Sequence, residues 1–174
     1  MSRNNNIFLL GFMGAGKSAV GKALAAKLNR RFIDTDDLIE SKVGKSINNI
    51  FVDDGEEFFR ELESSALEES IEQTGAVISC GGGIVLLEKN RETIRKSGTS
   101  LFLNASPEQL LSRMKNQKER PLINGYKGEE KLEKIKEMLS ERLPLYLKAD
   151  FTIDSGGKSP EELAEEIILK LDEL

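Results

Sequence analysis

"GFMGAGKSAVGKALAAKL", residues 11–28, runs from a cluster of glycines straight into a lysine, a serine and an apolar repeat of helical spacing. Four apolar residues, Ile7, Phe8, Leu9 and Leu10, stand just before it, so the order is buried strand, glycine turn, helix. Gly11, four residues, then Gly16, Lys17 and Ser18 is the spacing of a phosphate-binding loop, in the strand-to-helix context such a loop requires. Glycines let the backbone take positive φ and curl, so that successive N–H groups point inward at an anion. The helix beginning near Lys17 adds the positive end of its dipole. In such a loop the lysine reaches the β- and γ-phosphates and the serine hydroxyl sits on the accompanying magnesium ion. A plain turn needs neither the Lys-Ser pair nor three glycines in six positions.

The chain has 174 residues, enough for one domain with a substantial core and too few for two comfortable ones. Charged residues make up 32% and hydrophobic ones 39%, as in soluble globular proteins, and no apolar run approaches the roughly 18 residues a membrane span needs. "MSRNNN" lacks the apolar stretch of a secretory signal, and a single cysteine excludes a disulfide framework within the chain, so a cytoplasmic setting and no membrane partner are expected. A net charge of −5 argues against a nucleic-acid partner, which calls for a basic face. There is no histidine, so proton transfer near neutral pH falls to a carboxylate, a lysine or water.

Short apolar runs at Ile7 to Leu10, Phe32 to Ile33, Ala76 to Cys80, Leu101 to Leu103 and Phe151 to Ile153 alternate with helix-like segments, which reads as α/β with a mostly parallel sheet. Ser106-Pro107-Glu108-Gln109 and Ser159-Pro160-Glu161-Glu162 are helix starts, each with an N-cap serine, a proline at the first helical position and a capping-box partner. They mark the helices after the fourth and fifth strands. Leu163, Ile167, Ile168, Leu171 and Leu174 recur at helical spacing and read as packing. The stretch from Asp34 to Gly75 is long for one crossover and holds helical pieces broken at Gly44 and Gly55, as a cap over the site would. A second inserted-looking region, Lys115 to Glu130, is polar and glycine-rich, as expected of a lid.

A phosphate-binding loop works with an aspartate at the end of a neighbouring strand, which holds the magnesium ion. "FIDTD" offers Asp34 and Asp36, which as i and i+2 of a strand would both face the crevice at the carboxyl end of the sheet, the alternative being that one of them merely caps the helix that follows, since Asp36 precedes "DLIE". "FTID" offers Asp154, but its surroundings read as a loop leading to a helix cap, which makes Asp154 structural. "SCGGG", residues 79–83, ends the third run with three glycines that leave room for a ligand to approach the backbone. Cys80 there reads as packing.

These stretches together resemble the shikimate kinase family: "GFMGAGKS" at 11–18, "FIDTDDLIE" at 32–40, "IFVDDGEEFFRELE" at 50–63, "SCGGG" at 79–83, "RPL" at 120–122 and "ERLPLY" at 141–146. The resemblance implies the nucleoside monophosphate kinase fold, a single P-loop NTPase-type α/β/α domain over 1–174. Its five-stranded parallel sheet has the order 2-3-1-4-5, with a substrate-binding region at about 35–63 and a lid at about 115–130. It implies transfer of the γ-phosphate of ATP to the 3-hydroxyl of shikimate, with Mg2+, by a monomer. Nucleotide contacts would come from Gly14, Ala15, Gly16, Lys17, Ser18 and Ala19, with Arg113 and Pro160 near the adenine and Arg120 reaching the transferring phosphate from the lid. Ser18 and Asp34 would hold the metal. Asp36 would bind the substrate hydroxyl and accept its proton. Arg60 and Arg142 would grip the shikimate carboxylate beside Gly82 and Gly83, with Phe51 and Phe59 against the ring. Lys17, Asp36 and Arg120 would carry the catalysis. Two other readings stay open at this point: a same-fold kinase for another small hydroxy acid such as gluconate, and a non-catalytic nucleotide-binding module.

Overall fold

In a computed structural model, which describes residues 5–115 and 121–173, five strands alternate with helices in the order read from the sequence. β1 (Asn6–Leu10) leads into α1 (Lys17–Leu28), then β2 (Phe32–Asp34), α2 (Thr35–Val43), α3 (Ile47–Ser70) and β3 (Val77–Ser79). A 3-10 turn (Ile84–Leu86), α4 (Glu88–Ser97), β4 (Gly98–Asn104) and α5 (Pro107–Met114) follow, and a second 3-10 turn (Pro121–Ile123), α6 (Gly128–Tyr146), β5 (Phe151–Asp154) and α7 (Pro160–Asp172) complete the chain.

The sheet is parallel throughout, in the order β2-β3-β1-β4-β5, as expected. Parallel strands need helical crossovers that cover both faces, which is why "NIFLL" is apolar without alternation after Asn6 and buried at every position. Phe8, Leu9, Ile78, Leu101 and Phe102 form the centre of the core, and α1 packs beside α7 and α5 beside α6 around it. Leu163 and Ile167 of α7 are buried there, as their spacing requires.

Both capping boxes form. Ser106 Oγ accepts from Gln109 N at 3.2 Å while Gln109 Oε1 accepts from Ser106 N at 2.9 Å. Ser159 and Glu162 repeat the exchange at 3.2 and 2.7 Å.

The long stretch between β2 and β3 folds into α2 and α3 around a small cluster of its own, Ile39, Ile47, Ile50, Phe59 and Ala66. Gly44 ends α2 at φ 72°. Gly55, at φ 86° and ψ 168°, breaks α3 internally in a region that only glycine occupies comfortably. The break separates Phe51 from Phe59 and Arg60. Among the described residues, no helix is long and apolar enough to cross a membrane.

Candidate functional site

The loop between β1 and α1 curls through Gly14 (φ 81°) and Gly16 (φ 91°), the latter serving as the N-cap of α1 in the left-handed region. A Cβ on Gly14 would meet Met114 Cγ at 2.9 Å, so α5 fixes how tightly the loop can wind. The first turn of α1 carries no acidic side chain, which leaves its N–H groups and dipole to an external anion. Lys17, expected to reach outward, is turned back: Nζ donates to the carbonyls of Gly11 at 2.8 Å and Phe12 at 3.0 Å. An ammonium group that is only 9% exposed needs acceptors, and the loop's own carbonyls supply two.

β2, β3 and β1 are neighbours, so their carboxyl ends converge on this loop. Ser18 Oγ donates to Asp34 Oδ2 at 2.5 Å and lies 3.4 Å from Ser79 Oγ. Asp34 has a second task. Its Oδ1 accepts from Asp36 N at 3.0 Å and caps α2. The expectation that Asp34 and Asp36 share a strand face is therefore corrected: β2 stops at Asp34, and Asp36 stands in the first turn of α2. Both still line one cavity of about 370 Å³ with Gly16, Lys17, Ser18 and Ser79. No group of three or more Cys, Asp or Glu side chains arranged for a metal occurs among the described residues. The hydroxyl and carboxylate of Ser18 and Asp34 are nonetheless hard oxygen donors that suit a magnesium ion whose other positions are filled by phosphate and water.

A second cavity opens from the first through Asp36, which borders both, and is lined by Phe51, Phe59, Arg60, Gly82, Gly83 and Arg142 among others. Phe51 and Phe59 contact each other with ring centroids 4.6 Å apart, and the Arg60 guanidinium lies 5.4 Å from the Phe59 centroid. Arg142 is buried, 5.6 Å from the Phe12 ring centroid. Arg60 donates to Glu63 Oε2 at 2.5 Å and Glu56 Oε1 at 2.9 Å. Burial works against the Arg60 charge, but the two carboxylates outweigh it and raise its pKa.

Glu63 is almost wholly enclosed, and burial pushes its carboxyl up to about 7 against the opposing pull of Arg60, with Asp36 adding to the rise and Arg142 subtracting. An acid whose folded pKa exceeds its unfolded value stabilises the fold fully below the unfolded pKa, and that contribution is lost as pH rises through the folded one. Glu63→Gln should therefore show a flatter dependence of thermal stability on pH than the parent between about 4.5 and 7. The parent should lose on the order of a few kcal/mol more across that window. Parallel curves from denaturation scans would refute the assignment.

The glycines of "SCGGG" make room, but chiefly for side chains. A Cβ on Gly81 would lie 2.7 Å from Glu63 Oε1 and 2.8 Å from Asp36 Oδ1, and one on Gly83 would overlap the Arg60 guanidinium. Gly81 N donates to Thr35 Oγ1 at 3.0 Å, tying this loop to the start of α2. Cys80 is fully buried and its thiol is pushed far upward by that burial, which leaves it inert, as its packing role requires.

At the far side of the phosphate loop, Arg113 donates to Ala15 O at 3.1 Å, Ser155 Oγ at 3.1 Å and Ser155 O at 2.6 Å. It joins the loop to the segment before α7, where Pro160 takes the first helical position. Asp154 Oδ1 accepts from Gly156 N at 3.0 Å and shapes a turn, the structural task expected of it. Arg120 and the rest of 116–120 lie outside the described residues. Pro121 and Leu122 line the second cavity. The polar stretch that follows gives way to α6 at Gly128, so Glu129 and Glu130 belong to a helix.

Three residues of the site went unread in the sequence: Ser79, Glu63 and Tyr146. Glu63 stands three residues from Arg60 on a helix, a spacing that Glu57 shares and that does not single it out. Tyr146, whose hydroxyl donates to Gly82 O at 2.5 Å across 64 positions of sequence, had no signal.

The protein-family model described as Shikimate kinase matches residues 13–172. A shikimate kinase of a Sulfurihydrogenibium strain is 43% identical over 166 residues, 95% of this chain and 97% of its own. One from Dehalococcoides mccartyi is 44% identical over 174 residues, 99% of this chain and 97% of its own. Among solved structures, the shikimate kinase from Acinetobacter baumannii in complex with shikimate superposes with a TM-score of 0.91 at 37% identity, covering 97% of this chain and 94% of that one.

Proposed function

The chain belongs to the shikimate kinase family, and from that premise we propose how its residues divide the work of the reaction: transfer of the γ-phosphate of ATP to the 3-hydroxyl of shikimate, which yields ADP and shikimate 3-phosphate on the route to chorismate and the aromatic amino acids. The observation that carries the proposal is the position of Asp36, the carboxylate that borders both the phosphate-loop cavity and the arginine-lined one.

In this reading the N–H groups of Gly14 to Ala19 cradle the phosphates, and Lys17 leaves its loop carbonyls to follow the charge that develops on the transferring group. Magnesium held by Ser18 and Asp34 would supply charge neutralisation for the nucleotide phosphates. Asp36 orients the 3-hydroxyl and takes its proton, being among the described residues the carboxylate that borders both cavities of a chain without histidine. Arg60 and Arg142 hold the shikimate carboxylate as planar forks, while Phe51 and Phe59 pack against the ring. Arg113 and Pro160 stand at the adenine end. Arg120 belongs to the transferring phosphate, carried by a lid at 115–130. The region at 35–63, with its separate apolar cluster, forms the substrate-binding part of a single domain. The enzyme acts as a cytoplasmic monomer in this proposal, which sedimentation of the purified chain checks.

A coupled ADP-release assay with ATP and a panel of shikimate, quinate, gluconate and AMP tests the substrate. Strong turnover of shikimate is expected. Turnover of gluconate with none of shikimate would reassign the acceptor, and turnover of nothing would leave a binding module.

Two narrower results are expected. Arg142→Lys keeps the charge and loses the fork, so the KM for shikimate should rise roughly 10- to 100-fold with the KM for ATP nearly unchanged. An equal rise in both would move Arg142 to the nucleotide site. If 115–130 closes over both substrates, nucleotide with shikimate should protect its amides from hydrogen exchange more than nucleotide alone does. Equal exchange in both states would remove the lid.

A further inference from the structure

The peptide groups of the triple-glycine loop can be traced to their partners. Ile84 N donates to Gly81 O at 3.1 Å and Leu86 N to Gly83 O at 3.0 Å, so the 3-10 turn uses the first and third carbonyls. The middle one, Gly82 O, accepts the phenolic hydroxyl of Tyr146 at 2.5 Å. Tyr146 is the last residue of α6 and is fully buried. Its ring stacks on Phe102 of β4, with centroids 4.9 Å apart and planes 12° from parallel. The hydroxyl therefore projects from a ring clamped against the centre of the sheet. Burial pushes the phenol up to about 12, so it remains a donor at any working pH.

Two substrate contacts meet at this hydroxyl. Arg142 precedes Tyr146 by four residues, so the two side chains lie on the same face of α6, one turn apart, and the Arg142 guanidinium stands beside the phenol. On the other side, the peptide joining Gly82 to Gly83 is planar and trans. Holding its carbonyl toward Tyr146 turns the Gly83 N–H the opposite way. With no Cβ at Gly82 or Gly83 this peptide has wide rotational freedom of its own, and it forms part of the cavity wall beside Arg60 and Arg142.

We propose that Tyr146 is a positioning residue for substrate binding: its hydroxyl fixes the Gly82–Gly83 peptide relative to Arg142, so that the loop donor and the guanidinium fork meet one carboxylate at a set spacing. The inference rests on the carboxylate clamp proposed above and adds the residue that aligns its two halves. Tyr146 touches neither substrate and takes no part in the chemical step.

The test is Tyr146→Phe in the full chain, which keeps the stacked ring and removes only the hydroxyl, assayed with shikimate and with its methyl ester. The ester keeps the ring and the 3-hydroxyl but lacks the carboxylate charge. The KM for shikimate should rise about tenfold. The KM values for the ester and for ATP should stay within about twofold and kcat within about threefold, so the parent's preference for acid over ester should shrink about tenfold. A variant that weakens acid and ester alike, or neither, would overturn the proposal, since a merely structural tyrosine would not distinguish them. Should the Phe variant fail to fold, Phe102→Leu loosens the same ring with the hydroxyl retained. The same selective loss for shikimate is expected from it, and an unselective one would overturn the proposal. A parent enzyme that turns over acid and ester equally well would instead sink the carboxylate clamp itself, and Tyr146's role with it.

Discussion

Asp36→Asn should fold normally, bind MgATP about as well as the parent, and lose on the order of 10²–10⁴ in kcat, the usual range for a positioned general base. Asparagine keeps the shape and can still hydrogen-bond the acceptor hydroxyl, but it cannot take a proton. Because Asp36 borders both cavities, the loss should fall on kcat more than on either KM. Asp34→Asn should behave differently. Asp34 bonds Ser18 and caps α2; with the metal role proposed for it, raised magnesium should partly restore that variant while leaving Asp36→Asn unchanged. A loss under about tenfold for Asp36→Asn would mean that proton transfer is late or goes to the phosphate, in keeping with a loose transition state. Asp36 would then only position the substrate.

Lys17→Met should cost about 10²–10³ in kcat, the range for removing one preorganised charge-stabilising donor. Methionine preserves much of the side-chain volume, so shikimate binding should change little. The buried ammonium also ties together the carbonyls of Gly11 and Phe12, and its loss should lower thermal stability by about 1–3 kcal/mol. Measuring kcat, both KM values and the melting temperature together separates these effects. A rise in the KM for ATP with kcat intact would show that Lys17 acts only in ground-state binding.

What was legible in the sequence was local. The phosphate loop, both capping boxes and the apolar strands are written within a few residues of one another, and the strand order followed from the family resemblance. The misplacement of Asp36 shows where local signals stop. "FIDTD" extends as a strand on paper, but a three-residue strand ends wherever the next helix is capped, and Asp34 supplies that cap with its own side chain. Glu63 was hidden by its company. Glu56, Glu57, Glu61 and Glu63 crowd one helix, and only the packing against Gly81 and Arg60 decides which of them turns inward. Tyr146 answers to a carbonyl on a distant loop, which no window of sequence contains.

β1 precedes in the chain both of the strands that enclose it. It occupies the middle of the sheet, with Ile7 paired to Val77 on one side and to Thr99 on the other, so neither neighbour exists until the ribosome has added about 70 and then about 90 further residues. The phosphate loop therefore lacks both of its flanking strands while it is a nascent segment. It takes shape only when the strands that flank it, made much later, have closed around it, and long-range parallel pairing of this kind is slow to form. A chain whose phosphate loop is set has therefore already paired β1 with both of its neighbours.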